Sequence, residues 1–123
     1  MTSERPVEIT PTSYLPVTAV ASITHRITGV ALFAGTAYLL YLLDLALESE
    51  AGFARAAALL ETGLGKLALW ITLAALAYHF IAGIRHLLLD FHVGDSLASA
   101  RRSAWTTLGL AFLAAAAAGV WLW

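Results

Sequence analysis

Cysteine is absent from this chain of 123 residues. Its absence excludes a disulfide within the polypeptide, an iron–sulfur cluster held by its own thiolates and a haem attached through cysteine. Charged residues are also scarce, at 12% of the composition, whereas apolar residues make up 60%. Soluble domains ordinarily contain about 25% charged residues. The composition therefore indicates a membrane protein.

Three long runs carry no formal charge, and each approaches or reaches the roughly 20 residues that a helix needs to cross a bilayer. They are apolar all round, whereas a soluble three-helix bundle would need a polar face on every helix. The runs are Ile27 to Leu43, Leu67 to Ile84 and Ser103 to Trp123. We predict an all-α integral membrane protein with three transmembrane helices, over about 22–47, 66–91 and 101–123.

Proline occurs only in the first 16 residues, where it favours an extended arm. We therefore predict a cytoplasmic N-terminal arm over 1–17 and a single transmembrane domain over 18–123. The arm is polar and no small-residue cleavage pattern follows the first run, so we expect that run to be retained rather than cleaved as a signal. Ala51 to Leu60 is predicted to form a short amphipathic helix at the interface, ended by Gly63 and Gly65.

The basic residues are distributed unevenly along the chain. Most lie near the N-terminal end of the first predicted helix or cluster around the second loop. They are Arg5, Arg26, Arg85, Arg101 and Arg102. The basic residues of the first loop are accompanied by acidic residues that cancel their charge. The positive-inside rule then predicts a cytoplasmic N-terminus and a periplasmic C-terminus. With a net charge of −1, no nucleic-acid partner is expected.

His79 lies within the second charge-free run, where an imidazole is expensive to desolvate and is by default a sign of function. At 100° per residue, Gly83 and His86 share its helix face. An imidazole ligand beside a glycine, which leaves space for a flat ring, suits a haem cleft. A partner subunit would then supply the second axial ligand. The alternative is that His79 bonds a neighbouring helix and Gly83 is a packing notch.

Ser22, His25 and Arg26 lie at the predicted cytoplasmic entry of the first helix, with Ser22 and Arg26 on one face. A hydroxyl beside a guanidinium suits a quinone, because one bonds a carbonyl oxygen and the other stabilises negative charge on reduction. His25, near the level of His86, is placed to contact a haem propionate. The alternative is that Ser22 caps the helix while His25 and Arg26 anchor it to lipid phosphates.

The other polar groups near the second loop are interpreted as interfacial anchors or intersubunit ion pairs, with Asp90 also a candidate for proton delivery. They are Arg85, Asp90, His92 and Asp95. No nucleophile–base arrangement or phosphate-binding glycine loop occurs in the sequence. Independent hydrolase or nucleotide chemistry is therefore not expected.

Three runs, in this order along the chain, resemble the cytochrome b large membrane-anchor subunit of succinate dehydrogenase, respiratory Complex II. They are Arg5-Pro6-Val7, Ser22-x-x-His25-Arg26-x-Thr28-Gly29 and His79-x-x-x-Gly83-Ile84-Arg85-His86-x-x-x-Asp90. The resemblance extends over essentially the whole chain.

The resemblance implies half of a two-subunit helical bundle around one haem b, shared with a second small membrane-anchor subunit. An iron–sulfur subunit and a flavoprotein subunit would dock on the cytoplasmic side of the bacterial inner membrane. By similarity His79 is the axial ligand of the haem iron, and Gly83 lies beside the ring. His25 and His86 match residues near the propionates.

The resemblance also assigns Ser22 and Arg26 to the quinone site, with Leu15 and Pro16 at its entrance. Electrons from succinate would reach ubiquinone or a related quinone there, which links electron transport to the tricarboxylic acid cycle. Alone, the subunit should catalyse nothing. Three alternatives remain: a fumarate reductase anchor, a cofactor-free structural anchor, and a small transporter component, for which polar residues would be expected in several helices.

Overall fold

The computed structural model describes residues 16–123, in which four α-helices follow one another and no strand occurs. Residues 1–15 of the expected arm, with the Arg5-Pro6-Val7 run and Leu15, lie outside the described residues. The helices are α1 (Val17–Glu48), α2 (Glu50–Glu61), α3 (Gly63–Asp90) and α4 (Leu97–Leu122).

Three of these helices, α1, α3 and α4, are long and apolar enough to cross a membrane. Their most apolar windows have mean hydropathies of 1.9, 1.9 and 1.6, yet only 11–22% of the residues in those windows are buried within the chain. Most of their apolar surface therefore faces outward, as lipid-facing and subunit-facing helices do. The prediction of an all-α integral membrane protein is confirmed.

Helix α1 begins at Val17, earlier than the predicted start near residue 22. The carbonyl of Pro16 accepts hydrogen bonds from the amides of Ala19 and Val20, at 2.9 and 3.1 Å. Proline suits this place because the residues that begin a helix need no amide donor of their own.

Single hydroxyl residues separate α1 from α2 and α2 from α3. The Oγ of Ser49 accepts a bond from the Gly52 amide, and Oγ1 of Thr62 accepts one from the Gly65 amide, each at 2.9 Å. These side chains satisfy amides that the first turn of a helix leaves free. The prediction that Gly63 and Gly65 interrupt the helix is therefore wrong, because both lie inside the first turn of α3.

Helix α3 is the central element and packs against both α1 and α4. The residues buried most deeply at these contacts are small, and no large side chain is fully buried within the part of the chain described. Ala21, Ala82 and Ala104 are all at most 1% exposed. Small residues allow transmembrane helices to approach closely, so that backbone packing replaces a core of large side chains.

The α1–α3 contact depends on Gly35. A Cβ placed there would lie 2.7 Å from Oγ1 and 2.8 Å from Cγ2 of Thr72, which is itself buried. Gly63, in contrast, has no atom within 4 Å of an added Cβ.

We expect Gly35→Ala to destabilise the fold by about 1–3 kcal/mol, because the helices must separate to admit the methyl group. Gly63→Ala is the matched control and should change stability by less than about 0.5 kcal/mol. The measurement is the thermal unfolding midpoint of the protein purified from membranes in mild detergent. Equal midpoints for the two variants would contradict this account of the α1–α3 contact.

Candidate functional site

Three imidazoles lie together between α1 and α3. The rings of His25 and His79 are stacked, with centroids 4.0 Å apart and planes 9° apart. The rings of His25 and His86 are tilted by 53° at a centroid distance of 4.9 Å. All three residues are half-buried, so α1 and α3 bring the imidazoles into one cluster.

The backbone of α1 fixes the orientation of His79. Its Nδ1 lies 3.0 Å from the carbonyl oxygen of His25 and 3.2 Å from Oγ1 of Thr28. A carbonyl oxygen can only accept a hydrogen bond, so Nδ1 carries the proton in the neutral ring. The other nitrogen, Nε2, then bears the lone pair and has no hydrogen-bond partner among residues 16–123. Of the two ring nitrogens, Nε2 is therefore the one whose lone pair is not engaged by another described residue.

Two glycines set the spacing around these rings. A Cβ on Gly29 would lie 3.1 Å from Cε1 of His79, a tighter approach than most Cβ atoms tolerate. A Cβ on Gly83 would lie 3.7 Å from Nε2 of His25. The space that Gly83 leaves open on α3 is therefore used by the His25 imidazole.

Ser22 and Arg26 lie one helical turn apart on α1, Ser22 half-buried and Arg26 exposed. Neither side chain forms a hydrogen bond or ion pair with another of residues 16–123. The alternative in which Ser22 caps the helix is wrong, because α1 begins at Val17 and places Ser22 inside the helix. A cleft of about 620 Å³ opens beside the first turn of α1, and neither Ser22 nor Arg26 lines it.

Arg85 is 7% exposed and joins α3 to α4. Its Nε donates to Oγ of Ser103 at 3.0 Å, and its Nη2 donates to the carbonyl of Ala100 at 3.1 Å. The interpretation of Arg85 as an interfacial anchor or a member of an intersubunit ion pair is therefore wrong, because its guanidinium is buried and bonds α4 of the same chain. His92 and Asp95 pair with each other at 3.2 Å on the exposed α3–α4 turn.

Sequence reasoning missed two side chains that contribute to the contact between α1 and α3. The Tyr78 hydroxyl donates to the carbonyl of Ala21 at 2.8 Å, and Tyr78 is buried. The Thr28 hydroxyl donates to the carbonyl of His25 at 2.9 Å within α1, and its oxygen lies 3.2 Å from Nδ1 of His79 on α3. The available signals were a tyrosine in an apolar run, whose hydroxyl needs a partner when buried, and a threonine one turn after His25.

These features define a class of protein: an all-α membrane subunit with an imidazole site between two spanning helices. The model of the family described as Succinate dehydrogenase/Fumarate reductase transmembrane subunit matches residues 1–118. The chain belongs to that family.

Two relatives carry the name succinate dehydrogenase cytochrome b556 subunit. The protein from Coxiella burnetii (strain RSA 493 / Nine Mile phase I) is 41% identical over 125 residues, which cover 100% of both chains. The protein from Paracoccus denitrificans is 39% identical over 89 residues, which cover 72% of this chain and 68% of that relative. The predicted resemblance to the cytochrome b membrane anchor of succinate dehydrogenase is confirmed.

We expect Arg85→Lys to destabilise the subunit by about 1.5–3 kcal/mol. The ammonium donates from a single nitrogen, so it cannot reach both acceptors as the separate nitrogens of the rigid guanidinium do. The exposed Arg102→Lys on α4 is the control and should change the free energy of unfolding by less than about 0.5 kcal/mol. The measurement is the thermal midpoint of the purified complex. A midpoint for Arg85→Lys equal to that of Arg102→Lys would mean that the α3–α4 hydrogen bonds contribute nothing.

Proposed function

We propose that this subunit binds haem b together with a second small membrane-anchor subunit and contributes to the site where ubiquinone or a related quinone is reduced. The observation that carries the proposal is the orientation of His79. Its Nδ1 lies against two oxygens of α1 while Nε2 has no partner among residues 16–123. Haem, when bound, supplies an iron that accepts and returns one electron.

The residues fit such a group. Histidines that ligate metals almost always donate their second ring nitrogen to an oxygen acceptor, which fixes the tautomer and raises the basicity of the ligating nitrogen. The name cytochrome b in both relatives is consistent with this chemistry. His79 would provide one ligand to the iron, and the partner subunit would provide another.

The other members of the cluster would hold the periphery of the haem. His25 and His86 present imidazoles beside His79, and imidazole N–H groups are suitable donors to propionate carboxylates. Gly83, which faces the His25 imidazole from α3, would lie beside the haem ring. This distribution of roles agrees with the one that the family resemblance implies.

We propose that Ser22 and Arg26 bind the quinone. A guanidinium on a spanning helix is costly unless it serves a partner or substrate, and Arg26 is exposed at the surface of α1. The Ser22 hydroxyl would donate to a quinone carbonyl oxygen, while Arg26 would stabilise the charge that develops there during reduction. Other subunits would close the site, because neither side chain lines the cleft beside the first turn of α1.

The remaining partners follow from the same proposal. The iron–sulfur and flavoprotein subunits would dock on the cytoplasmic side of the bacterial inner membrane, near the basic residues of the second loop. The outward apolar faces of α1, α3 and α4 would contact lipid and the second anchor subunit. The subunit by itself would catalyse nothing. The names of both relatives favour a succinate dehydrogenase over a fumarate reductase.

We expect His79→Ala to abolish or strongly alter the haem bands of the purified complex, because no other ring nitrogen of the cluster is oriented in the same way. His92→Ala, which changes an exposed histidine of the α3–α4 turn, is the control and should leave the bands unchanged. A reduced-minus-oxidised spectrum measures both. An unchanged six-coordinate spectrum in His79→Ala would refute the ligand assignment, and a colourless wild-type complex would indicate a cofactor-free anchor.

We expect Arg26→Ala to reduce the rate of quinone reduction by about 10²-fold or more, a loss typical of removing a group that stabilises developing charge. Haem content should stay close to wild type, since Arg26 is exposed and forms no hydrogen bond with the imidazole rings. Arg55→Ala, on α2, removes an exposed guanidinium that pairs with Glu48 and is the control. Equal rates of succinate-dependent quinone reduction in the two variants would exclude Arg26 from the site.

A further inference from the structure

We infer that Thr28 is a positioning residue for His79, holding the imidazole with Nε2 free and increasing its electron donation to a bound iron. The inference rests on the proposed haem function. It concerns a residue of α1 that is not itself a ligand, and it extends the site from the imidazole to the hydroxyl behind it.

Three atoms form a closed triangle behind the ring. Oγ1 of Thr28 lies 2.9 Å from the carbonyl oxygen of His25, that oxygen lies 3.0 Å from Nδ1 of His79, and Nδ1 lies 3.2 Å from Oγ1. All three separations fall within or close to hydrogen-bond range.

Only one arrangement of protons satisfies the triangle. The carbonyl oxygen of His25 can accept hydrogen bonds but cannot donate one. The single hydroxyl proton of Thr28 is donated to that oxygen. Oγ1 then presents lone pairs to Nδ1, whose proton is shared between the hydroxyl and the carbonyl. If the hydroxyl proton pointed at Nδ1 instead, a nitrogen lone pair would face the carbonyl oxygen at 3.0 Å. That arrangement is repulsive, so the triangle selects the tautomer in which Nε2 can bind a metal.

Helix α1 itself holds the Thr28 hydroxyl in place. Thr28 follows His25 by one helical turn, and threonine in a helix commonly bonds a carbonyl of the preceding turn. The next residue, Gly29, allows α1 to lie against the His79 ring, since a Cβ there would be 3.1 Å from Cε1. The backbone of α1 and the restricted rotamer of the β-branched Thr28 side chain therefore fix the position of Oγ1 relative to α3.

A second hydrogen-bond acceptor at the Nδ1–H group would make the Nε2 lone pair more basic. A bound iron would then be stabilised in its oxidised state. Removing groups that orient a metal ligand typically lowers metal affinity by about 10–100-fold. Because the His25 carbonyl remains when Thr28 is changed, we expect the lower end of that range. The midpoint potential of the haem should also move upward.

The test compares Thr28→Val, which keeps the branched shape but removes the hydroxyl, with Thr28→Ser, which keeps the hydroxyl. Both are measured in the complete purified complex, by haem retained after detergent dilution and by redox titration of the haem bands. We expect roughly tenfold weaker haem retention and a raised potential in Thr28→Val, and near wild-type values in Thr28→Ser. Thr106→Val is the control, because its hydroxyl makes a similar bond to the Arg102 carbonyl on α4.

Each result decides the inference. If Thr28→Val matches wild type in potential and retention while His79→Ala loses haem, Thr28 has no positioning role and the proposed function stands. If Thr28→Ser shifts as far as Thr28→Val, the methyl group rather than the hydroxyl matters and the inference fails. A wild-type complex without haem would overturn both. Should Thr28→Val not assemble, Thr28→Ala removes the hydroxyl without added bulk, and an unchanged potential there overturns the inference.

Discussion

The fold and the site both depend on the contact between Nδ1 of His79 on α3 and the carbonyl oxygen of His25 on α1. It is a polar contact between two spanning helices, in surroundings where an unsatisfied nitrogen would be costly. The contact stabilises the approach of α1 to α3, and it decides which nitrogen of the ring remains free. A change in the helix–helix distance would therefore move the His79 ring directly.

Small residues make this contact possible. Gly29 lies under the His79 ring and Gly35 lies against Thr72, so that α1 follows α3 closely over two turns. The chain has few large side chains in its interior, and most of its apolar surface faces outward. That outward apolar surface is available for contact with lipid and with other subunits of a complex.

Sequence periodicity predicted the three spanning helices, and it also placed His79, Gly83 and His86 on one face of α3. These features depend on hydropathy and on the regular turn of a helix, both of which can be calculated from residue order. The stacking of His25 on His79 and the hydrogen bonds of Thr28 and Arg85 depend on the distance between helices and on rotamers. Tertiary packing sets those quantities, and the sequence of one helix does not contain them. The break between α2 and α3 was predicted at Gly63 and Gly65 but lies at Thr62, because the Thr62 hydroxyl caps the start of α3.

The most direct measurement is an experimental structure of the assembled complex at a resolution that shows the orientation of the His79 ring. The account predicts Nε2 on the haem iron, with Nδ1 still within hydrogen-bond distance of the His25 carbonyl and the Thr28 hydroxyl. A ring turned so that Nδ1 faces the iron, or an iron whose ligand from this subunit is a different residue, would contradict it.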